Sequence, residues 1–369
     1  MARKNRISVP DGTYHITSRI VNREFWLRDS KLKDEIVRWI YGIAHFSGVE
    51  LLAWCVMDNH FHLFIHVPNV PVEYRLHPDV EPDAYAFGMR PPECNVPLWS
   101  PAGQEGVIRD SRPIGWNGGA RPELEFMLSD EEMLERLLAL YGDRRRIEAM
   151  RQVWKDMRIS GNGGAVDAIK RRYCRRMYNL SQFTKSLKER IAQCINKRLG
   201  HVGHVFEGRF YSGLVQGDRT VEELVALYID YNPRKARLVR EGGCYRWSSF
   251  GQAESDGPHG AECRAAYERL FGCCWKEVRA RIRAAFEVRL PERRYGEAEM
   301  CKGAQKVSLT ELIKIRVGAL TRGAFIGRNM EFQHEIRSLL AQNFPHWGFG
   351  SLRWLVNYVE WPLNSVHVA

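Results

Sequence analysis

The sequence predicts an α+β protein, and three observations support this fold class. The first 68 residues show strand-like and helix-like periodicity in the order strand, helix, strand, strand. Proline and glycine interrupt the pattern over about residues 69–125, and helical periodicity dominates beyond about residue 255. We therefore expect a ferredoxin-like βαββαβ domain with a long helical and loop insertion, followed by a mainly α-helical C-terminal region. The expected limits are 1–68 and 170–250 for the α+β domain, 69–169 for the insertion, and 255–369 for the C-terminal region.

The first strand and the first helix are delimited by signals at their ends. Residues 13–19 alternate between apolar and polar side chains, as a half-buried strand does. Asp29 or Ser30 can cap a helix that continues to about Phe46 on a stripe of isoleucines. Gly48 can end that helix in the left-handed conformation.

A β-hairpin is expected next, and it carries two histidines on one face. Residues 51–57 form an apolar run, Asp58 and Asn59 form a turn, and alternation resumes at His60. Because side chains alternate across a strand, His60 and His62 can direct both imidazoles at one ion. The alternative is a polar face on a half-exposed strand.

Two further histidines lie in the same part of the predicted sheet. His15 on the first strand could approach an ion held by the hairpin, but a surface or hydrogen-bonded histidine is the commoner role. His66 lies beyond the histidine pair on the same strand face and could contact DNA or act as an acid or base.

The insertion is expected to begin as irregular chain and to end as helices. Ser129 and Glu132 fit the start of a capped helix. Further helical periodicity covers residues 144–157 and 166–199, with a possible break near Asn179.

Basic residues concentrate on the stretch 166–199, opposite a face of apolar residues. One helix could therefore pack on the sheet and present a track of positive charge to DNA phosphates. A solvated charged face is the alternative. The candidate residues on this track are Arg172, Arg176, Lys185 and Lys188.

A helix over residues 221–231, after a strand expected at 208–216, carries the candidate nucleophile. Tyr228 and Asn232 are four residues apart and share one helix face. Pro233 disfavours helical geometry at Asn232, so this amide is expected at a frayed helix end where it can turn towards a ligand. A metal held by two imidazoles and an amide oxygen, beside a phenol, is suited to cutting a phosphodiester. Tyr231 is the competing phenol.

Four segments resemble the REP-associated tyrosine transposases, the single-tyrosine branch of the HUH endonucleases. They occur in the order found in that family. The chain departs from the family pattern at Asp58, where proline is usual, and in the long insertion after the histidines. The segments are RISVPDGTYHITSR, VELLAWCVMDNHFHLFIHV, GHVFEGRFYS and ALYIDYNPRKARLV.

The resemblance implies a single-stranded DNA endonuclease and strand transferase. Tyr228 would attack the scissile phosphate and form a 5′-phosphotyrosine, and the family's Tyr-x-x-x-Asn spacing selects it over Tyr231. His60, His62 and Asn232 would hold a divalent cation, Mg²⁺ or Mn²⁺. The substrate would be imperfect palindromes that fold as hairpins. Further candidates for DNA contact are Arg209, Arg234 and Lys235.

The composition agrees with a nucleic-acid partner but does not require one. The formal net charge of +11 favours a polyanion. No apolar run reaches the length of a membrane span, so no membrane partner is expected. The nine cysteines are scattered without a C-x-x-C pair, which favours reduced thiols in the cytoplasm. A monomer and a homodimer both remain open.

Two other functions compete with the transposase hypothesis. One is a metal-dependent nuclease that hydrolyses DNA with water and uses no tyrosine. The other is a non-catalytic or regulatory DNA-binding protein. A helix, glycine turn and helix between about residues 308 and 342 are compatible with a helix-turn-helix DNA reader, although simple helical hairpins are commoner.

Overall fold

The structure, a computed structural model, describes residues 11–76 and 126–287, except 216, 218, 241–242 and 256. It also describes the backbone of five short strands outside these ranges. The strands in chain order are β1 (Ile7–Ser8), β2 (Gly12–Arg19), β3 (Glu50–Val56), β4 (His60–Val67), β5 (Pro97–Trp99), β6 (Glu105–Val107), β7 (Arg109–Asp110), β8 (Tyr211–Val215) and β9 (Phe325–Ile326). The helices are α1 (Ser30–Ser47), α2 (Asp130–Tyr141), α3 (Arg144–Ile159), α4 (Gly163–Cys174), α5 (Leu180–Leu199), α6 (Arg219–Lys235), α7 (Ser249–Ala253), α8 (Gly260–Phe271) and α9 (Trp275–Glu287).

A central sheet with the strand order β3-β4-β2-β8-β9 organises the molecule. The first four strands in this order are antiparallel to their neighbours, and β9 is parallel to β8. The first strand of the domain, β2, therefore lies between β4 and β8, which is the strand order of a ferredoxin-like sheet. The α+β fold class predicted from the sequence is confirmed.

Helix α1 begins and ends at the predicted signals. The Asp29 carboxylate accepts a hydrogen bond of 2.7 Å from the Leu32 amide, which is an N-terminal cap. Gly48 follows the helix at φ 68°, and a Cβ there would approach the Tyr178 ring to 2.6 Å. A side chain at position 48 is therefore excluded by both backbone conformation and space.

The two faces of the sheet are covered by different helices. On one face, the Trp54 indole donates a hydrogen bond of 3.1 Å to the Tyr41 hydroxyl of α1. On the other face, Tyr228 of α6 lies against His15 and His62. Part of the sheet thus lies between α1 and α6, and α6 brings its tyrosine to the face that carries the histidine pair.

The helices of the insertion pack beside α1. Ser129 and Glu132 form the predicted capping box at the start of α2, and α2 lies against α1. The possible break near Asn179 is present, because the chain leaves α4 after Cys174 and Asn179 caps α5. In the irregular part of the insertion, β5 pairs with β6, and β7 pairs with β1.

The prediction that α6 frays at Asn232 is wrong. The helix continues to Lys235 with Pro233 inside it. Proline cannot donate to the carbonyl four residues earlier, which here is that of Ile229. The Asn232 side chain takes over part of this role, since its Nδ2 lies 3.4 Å from the Ile229 oxygen and 2.8 Å from the Tyr228 oxygen.

Helices α7 to α9 continue the same core. Helix α8 lies against β3 and α6, and Tyr267 of α8 is fully buried. The predicted domain limits, including the boundary near residue 255, remain a prediction.

The C-terminal part of the sequence prediction is tested only at one point. Phe325 and Ile326, which were expected in a turn, instead form β9 beside β8. The other predicted features beyond residue 287, including the possible helix-turn-helix, lie outside the described residues. No helix among those described combines the length and the hydrophobicity needed to cross a bilayer.

Candidate functional site

Strand β4 carries the histidine pair, and its pairing with β2 determines the neighbours of both rings. Arg19 lies directly opposite His60, and Thr17 lies directly opposite His62. Directly opposed residues of antiparallel strands project to the same face of the sheet. The two histidines therefore share a face with an arginine and a threonine from the neighbouring strand.

Hydrogen bonds orient both imidazoles through the same ring nitrogen. Nδ1 of His62 lies 3.0 Å from Oγ1 of Thr17 and 3.0 Å from Nε2 of His15. Nδ1 of His60 lies 2.6 Å from Oδ1 of Asn59. A proton on Nδ1 of each ring leaves the Nε2 lone pair available to a ligand, as in metal-bound histidines held by a second hydrogen bond. His15 thus has the hydrogen-bonded role and supports His62.

Burial keeps these imidazoles neutral near pH 7. Desolvation lowers the pKa of His15 and of His60 to about 4. It also lowers the pKa of His62 well below its ordinary value, with smaller contributions from the charges of His60, His15, Arg19 and Lys235. A neutral imidazole is the form that can donate a lone pair to a metal ion.

Tyr228 lies beside the histidines of its own chain. Its ring centroid is 5.6 Å from that of His62 and 5.8 Å from that of His15, and both pairs meet edge to face. Burial raises the pKa of the Tyr228 phenol, while a hydrogen bond with Asn232 and the positive charge of Arg19 lower it. The phenol is thus withdrawn from water but lies near a donor and a cation that favour its ionised form.

Asn232 is buried one helical turn after Tyr228. Its Nδ2 is directed at the Tyr228 and Ile229 backbone oxygens. The amide oxygen, Oδ1, is therefore the atom that remains to act as a ligand. The amide was predicted to be free at a frayed end, but it is fixed by the helix itself.

The side chains of His60, His62 and Asn232 carry donor atoms of the types that bind divalent cations. Together they offer two imidazole nitrogens and one amide oxygen, and a substrate phosphate or water would have to complete the coordination. No group of three or more histidine, cysteine, aspartate or glutamate side chains in the described part of the chain is arranged to hold a metal. Mn²⁺ accepts imidazole more readily than Mg²⁺, which prefers oxygen ligands.

The turn before His60 is anchored by a buried ion pair. Lys33 Nζ of α1 donates to Oδ1 of Asp58 at 2.5 Å and to the Tyr245 hydroxyl at 2.8 Å. The Asp58 backbone oxygen accepts a further hydrogen bond of 3.0 Å from the Leu27 amide. Asp58 stands where the family resemblance leads one to expect proline, and here the ion pair holds the turn in place of a rigid ring.

Arg19 was not singled out from the sequence, yet it belongs to the site. It is half-buried, lies opposite His60, and its charge lowers the pKa values of His60, His62 and Tyr228. In the described ranges no carboxylate forms an ion pair with it. The sequence signal that could have found it is its place at the end of β2, two positions after Thr17.

The predicted DNA contacts lie in different surroundings. Lys235 is exposed and its charge reaches His62, and Arg209 is exposed just before β8. Arg234 instead donates to the Gly243 oxygen at 3.0 Å and lies over the Phe286 ring.

The remaining four candidates lie on α4, on α5 or between them. Arg176 lies over the Phe46 ring of α1, and Lys188 donates to the Gly208 oxygen at 2.6 Å. Arg172 and Lys185 are exposed. Helix α5 packs beside α1, and Tyr173 of α4 meets the Phe46 ring of α1, so these helices lie on the opposite side of the sheet from His62.

Two other sequence candidates have partners away from the site. Tyr231 packs against the Phe286 ring of α9, with centroids 6.0 Å apart. Nδ1 of His66 lies 3.1 Å from Thr13 Oγ1 and its Nε2 lies 3.2 Å from Asp11 Oδ1, near the far end of β4.

A comparison with known families covers the histidine half of this site. Residues 8–74 match the model of a family described as IS200-like transposases. No curated protein and no solved structure gives a significant match. The matched segment contains β2, α1, β3 and β4 with His60 and His62, and it ends before Tyr228. Residues 8–74 are therefore similar to the IS200-like transposases, and this segment contains the histidine pair of the candidate site.

Proposed function

We propose that the protein cleaves and rejoins single-stranded DNA through a covalent bond to Tyr228, as a single-tyrosine transposase of the REP-associated kind. One observation carries the proposal: the Tyr228 ring lies 5.6 Å from the His62 ring, although the two residues come from distant parts of the chain. The family match over the histidine segment supports it.

The chemistry is an in-line exchange at phosphorus. The Tyr228 oxygen forms the new bond to phosphorus, and the bond from phosphorus to the 3′ oxygen breaks. The phenol loses one proton and the departing 3′ oxygen gains one, so that a 5′-phosphotyrosine and a free 3′-hydroxyl result. Attack by another 3′-hydroxyl reverses the exchange and joins strands without an external energy source.

Residues of the chain would each supply a defined part of this step. His60, His62 and Asn232 would hold a divalent cation, Mn²⁺ or Mg²⁺, which supplies charge stabilisation at a non-bridging phosphate oxygen. Arg19 would face the same phosphate with a fixed positive charge. Burial of Tyr228 and His62 would keep water away from the phosphotyrosine.

Hairpin-forming imperfect palindromes are the proposed substrate, because the family that the chain resembles acts on such DNA. A duplex would be a poor substrate, since its scissile phosphate would have to reach a buried tyrosine between α6 and the sheet.

Covalent capture of labelled DNA tests the proposal. Wild type, Tyr228→Phe and Tyr231→Phe are incubated with hairpin-bearing single strands and Mn²⁺, denatured and separated by size. We expect adducts with wild type and with Tyr231→Phe, and none with Tyr228→Phe. The Tyr231 variant is the matched control, because it removes a phenol from the same helix at a position that packs on Phe286.

The two competing functions give different results in the same experiment. Cutting by Tyr228→Phe without an adduct would identify a nuclease that uses water. Tight binding by wild type with neither cutting nor adduct would identify a regulatory DNA-binding protein.

A further inference from the structure

Part of the sheet face that carries the histidines is not covered by α6. Helix α6 lies over β3 and β4. On β8, Tyr211 lies opposite Thr17, and Gly213 lies opposite His15. His62, Thr17 and Tyr211 therefore form one row across three adjacent strands, on one face of the sheet.

Tyr211 is an exposed aromatic residue within this row. Its side chain is 71% exposed, whereas the preceding Phe210 is 8% exposed and belongs to the core. Among the residues that the structure describes, Tyr211 has no side-chain hydrogen bond and no ring partner. The neighbouring position on the same face is Gly213, which has no side chain to occupy the space beside the ring.

The spacing of the strands places this ring close to the reacting phosphate of the proposed function. Adjacent strands are about 4.8 Å apart, so Tyr211 is about 10 Å from His62 across the sheet. Successive nucleotides of a stacked strand rise about 3.4 Å, so that distance corresponds to about three nucleotides. Arg209, which is exposed just before β8, adds positive charge at the same end of the sheet.

Single-stranded DNA is the partner that fits such a surface. Its unpaired bases stack on exposed aromatic rings, and its phosphates pair with nearby cations. A duplex hides its bases, and a protein partner would be expected to need a larger apolar patch than one ring.

We propose that Tyr211 is a stacking platform for one unpaired base within about three nucleotides of the scissile phosphate. This inference rests on the proposed function, since the histidines define where the phosphate lies. The ring would position the strand through binding, and it would take no part in the exchange at phosphorus.

An abasic-site scan tests the proposal. Binding is measured with the Tyr228→Phe protein, which cannot become linked to DNA, in the presence of Mn²⁺. A set of hairpin oligonucleotides carries one abasic position at a time on either side of the cleavage site. With Tyr211 intact, we expect one flanking position at which loss of the base weakens binding about 5- to 100-fold.

Variants of residue 211 show whether the base at the sensitive DNA position stacks on the Tyr211 ring. Tyr211→Ala on intact DNA should weaken binding by the same factor, and the abasic position should then have no further effect. Tyr211→Phe should behave as the tyrosine does, because it keeps the ring. Ile159→Ala is the control for loss of an exposed apolar side chain, since Ile159 is 76% exposed at the end of α3.

The outcomes separate this proposal from the proposed function. Equal binding of intact DNA with and without the Tyr211→Ala substitution, or an abasic profile unchanged by that substitution, would overturn it. Loss of binding in Tyr211→Phe would also overturn it, because the ring would then not be the recognised feature. In a further outcome, wild type forms no adduct while the effect of the abasic position still depends on the Tyr211 ring. That result would refute the proposed enzymatic function and leave the proposed stacking surface in place.

Discussion

At the scale of single residues, the placement of protons determines what the histidines can do. His62 has two partners for Nδ1, the hydroxyl of Thr17 and Nε2 of His15, each at 3.0 Å. One proton on Nδ1 satisfies this arrangement when His15 accepts through its own Nε2. The same proton leaves Nε2 of His62 free, so the pair His15 and Thr17 fixes the ring state that metal binding requires.

Arg19 gives the first prediction at this scale. Replacing it with glutamine should slow adduct formation about 100-fold, because the fixed charge that we propose to face the phosphate is lost. Arg19→Lys should retain part of the rate, since lysine keeps the positive charge but cannot form the bidentate hydrogen bonds of a guanidinium group. The measurement is the single-turnover rate of covalent capture at saturating DNA.

The control for Arg19 removes the same charge elsewhere. Arg38 is exposed on α1, which covers the other face of the sheet. Arg38→Gln should leave the rate within about 2-fold of wild type. Equal slowing by both substitutions would mean that general charge attraction to DNA, and not a contact in the site, accounts for the effect.

Local sequence spacing correctly predicted which side chains lie side by side. The i, i+2 spacing on one strand was enough to pair His60 with His62, and the i, i+4 spacing on one helix was enough to pair Tyr228 with Asn232. Arg19 and Thr17 were missed because their role depends on the register between β2 and β4. That register depends on how two segments that are distant in the sequence pair, and the periodicity within either segment does not predict it.

At the scale of secondary-structure elements, α6 is held in place by a buried carboxylate. Asp230 accepts a hydrogen bond of 3.1 Å from the Phe250 amide of α7, and it also accepts from the Tyr267 hydroxyl of α8. Asp230 lies two residues after Tyr228 and its side chain is turned towards α7 and α8. The helix that carries the tyrosine is thus tied to the helices that follow it in the chain.

Burial gives Asp230 a pH-dependent effect on stability. Desolvation raises its pKa from 3.8 to about 7, although hydrogen bonds from Tyr267, Phe250, Ser248 and Ser249 oppose the rise. A carboxyl group whose pKa is higher in the folded than in the unfolded protein stabilises the folded state most at pH values below its pKa in the unfolded protein. This stabilisation is lost as the pH rises through its pKa in the folded protein.

We predict that Asp230→Asn removes this pH dependence. The amide resembles the protonated carboxyl group, so wild type should lose up to about 4 kcal/mol of unfolding free energy relative to the variant between pH 4 and pH 7. Urea unfolding of both proteins across this range measures the difference. Glu50→Gln, which removes an exposed carboxylate from β3, is the control for the loss of a negative charge at the surface. A constant gap between wild type and Asp230→Asn would contradict the prediction.

Element boundaries show where local rules fail. The capping signals at Asp29, Gly48 and Ser129 gave correct helix ends because each forms a hydrogen bond or backbone conformation within its own turn. Pro233 suggested an early end for α6, but the Asn232 amide donates to the carbonyls of the proline turn and the helix continues. The pairing of Phe325 with Leu214 depends on a remote strand and had no local signal.

At the scale of the whole molecule, one chain brings both halves of the candidate site together. The histidines come from β4 and the tyrosine from α6 of the same protein, and their rings are in contact distance without a second copy. Helix α6 is held by Asp230 against α7 and α8 of that chain. An exchange of α6 between two copies would separate it from α7 and α8 of its own chain, and the same buried hydrogen bonds would have to re-form with the helices of the other copy.

A complementation experiment tests whether each chain acts alone. His62→Ala keeps the tyrosine but loses a proposed metal ligand, and Tyr228→Phe keeps the proposed ligands but loses the proposed nucleophile. If Tyr228 works with the histidines of its own chain, a mixture of the two variants contains no complete site, and it should form no more adduct than either variant alone. If α6 served a partner, the mixture would contain complete sites, and the label would appear on the His62→Ala chain, which a size tag identifies.

Mixing wild type with Tyr228→Phe provides the control, with label expected on the wild-type chain only. Adduct on the His62→Ala chain would show that α6 crosses between copies, whereas its absence over a wide range of protein concentrations would fix the tyrosine and the histidines as one intrachain unit.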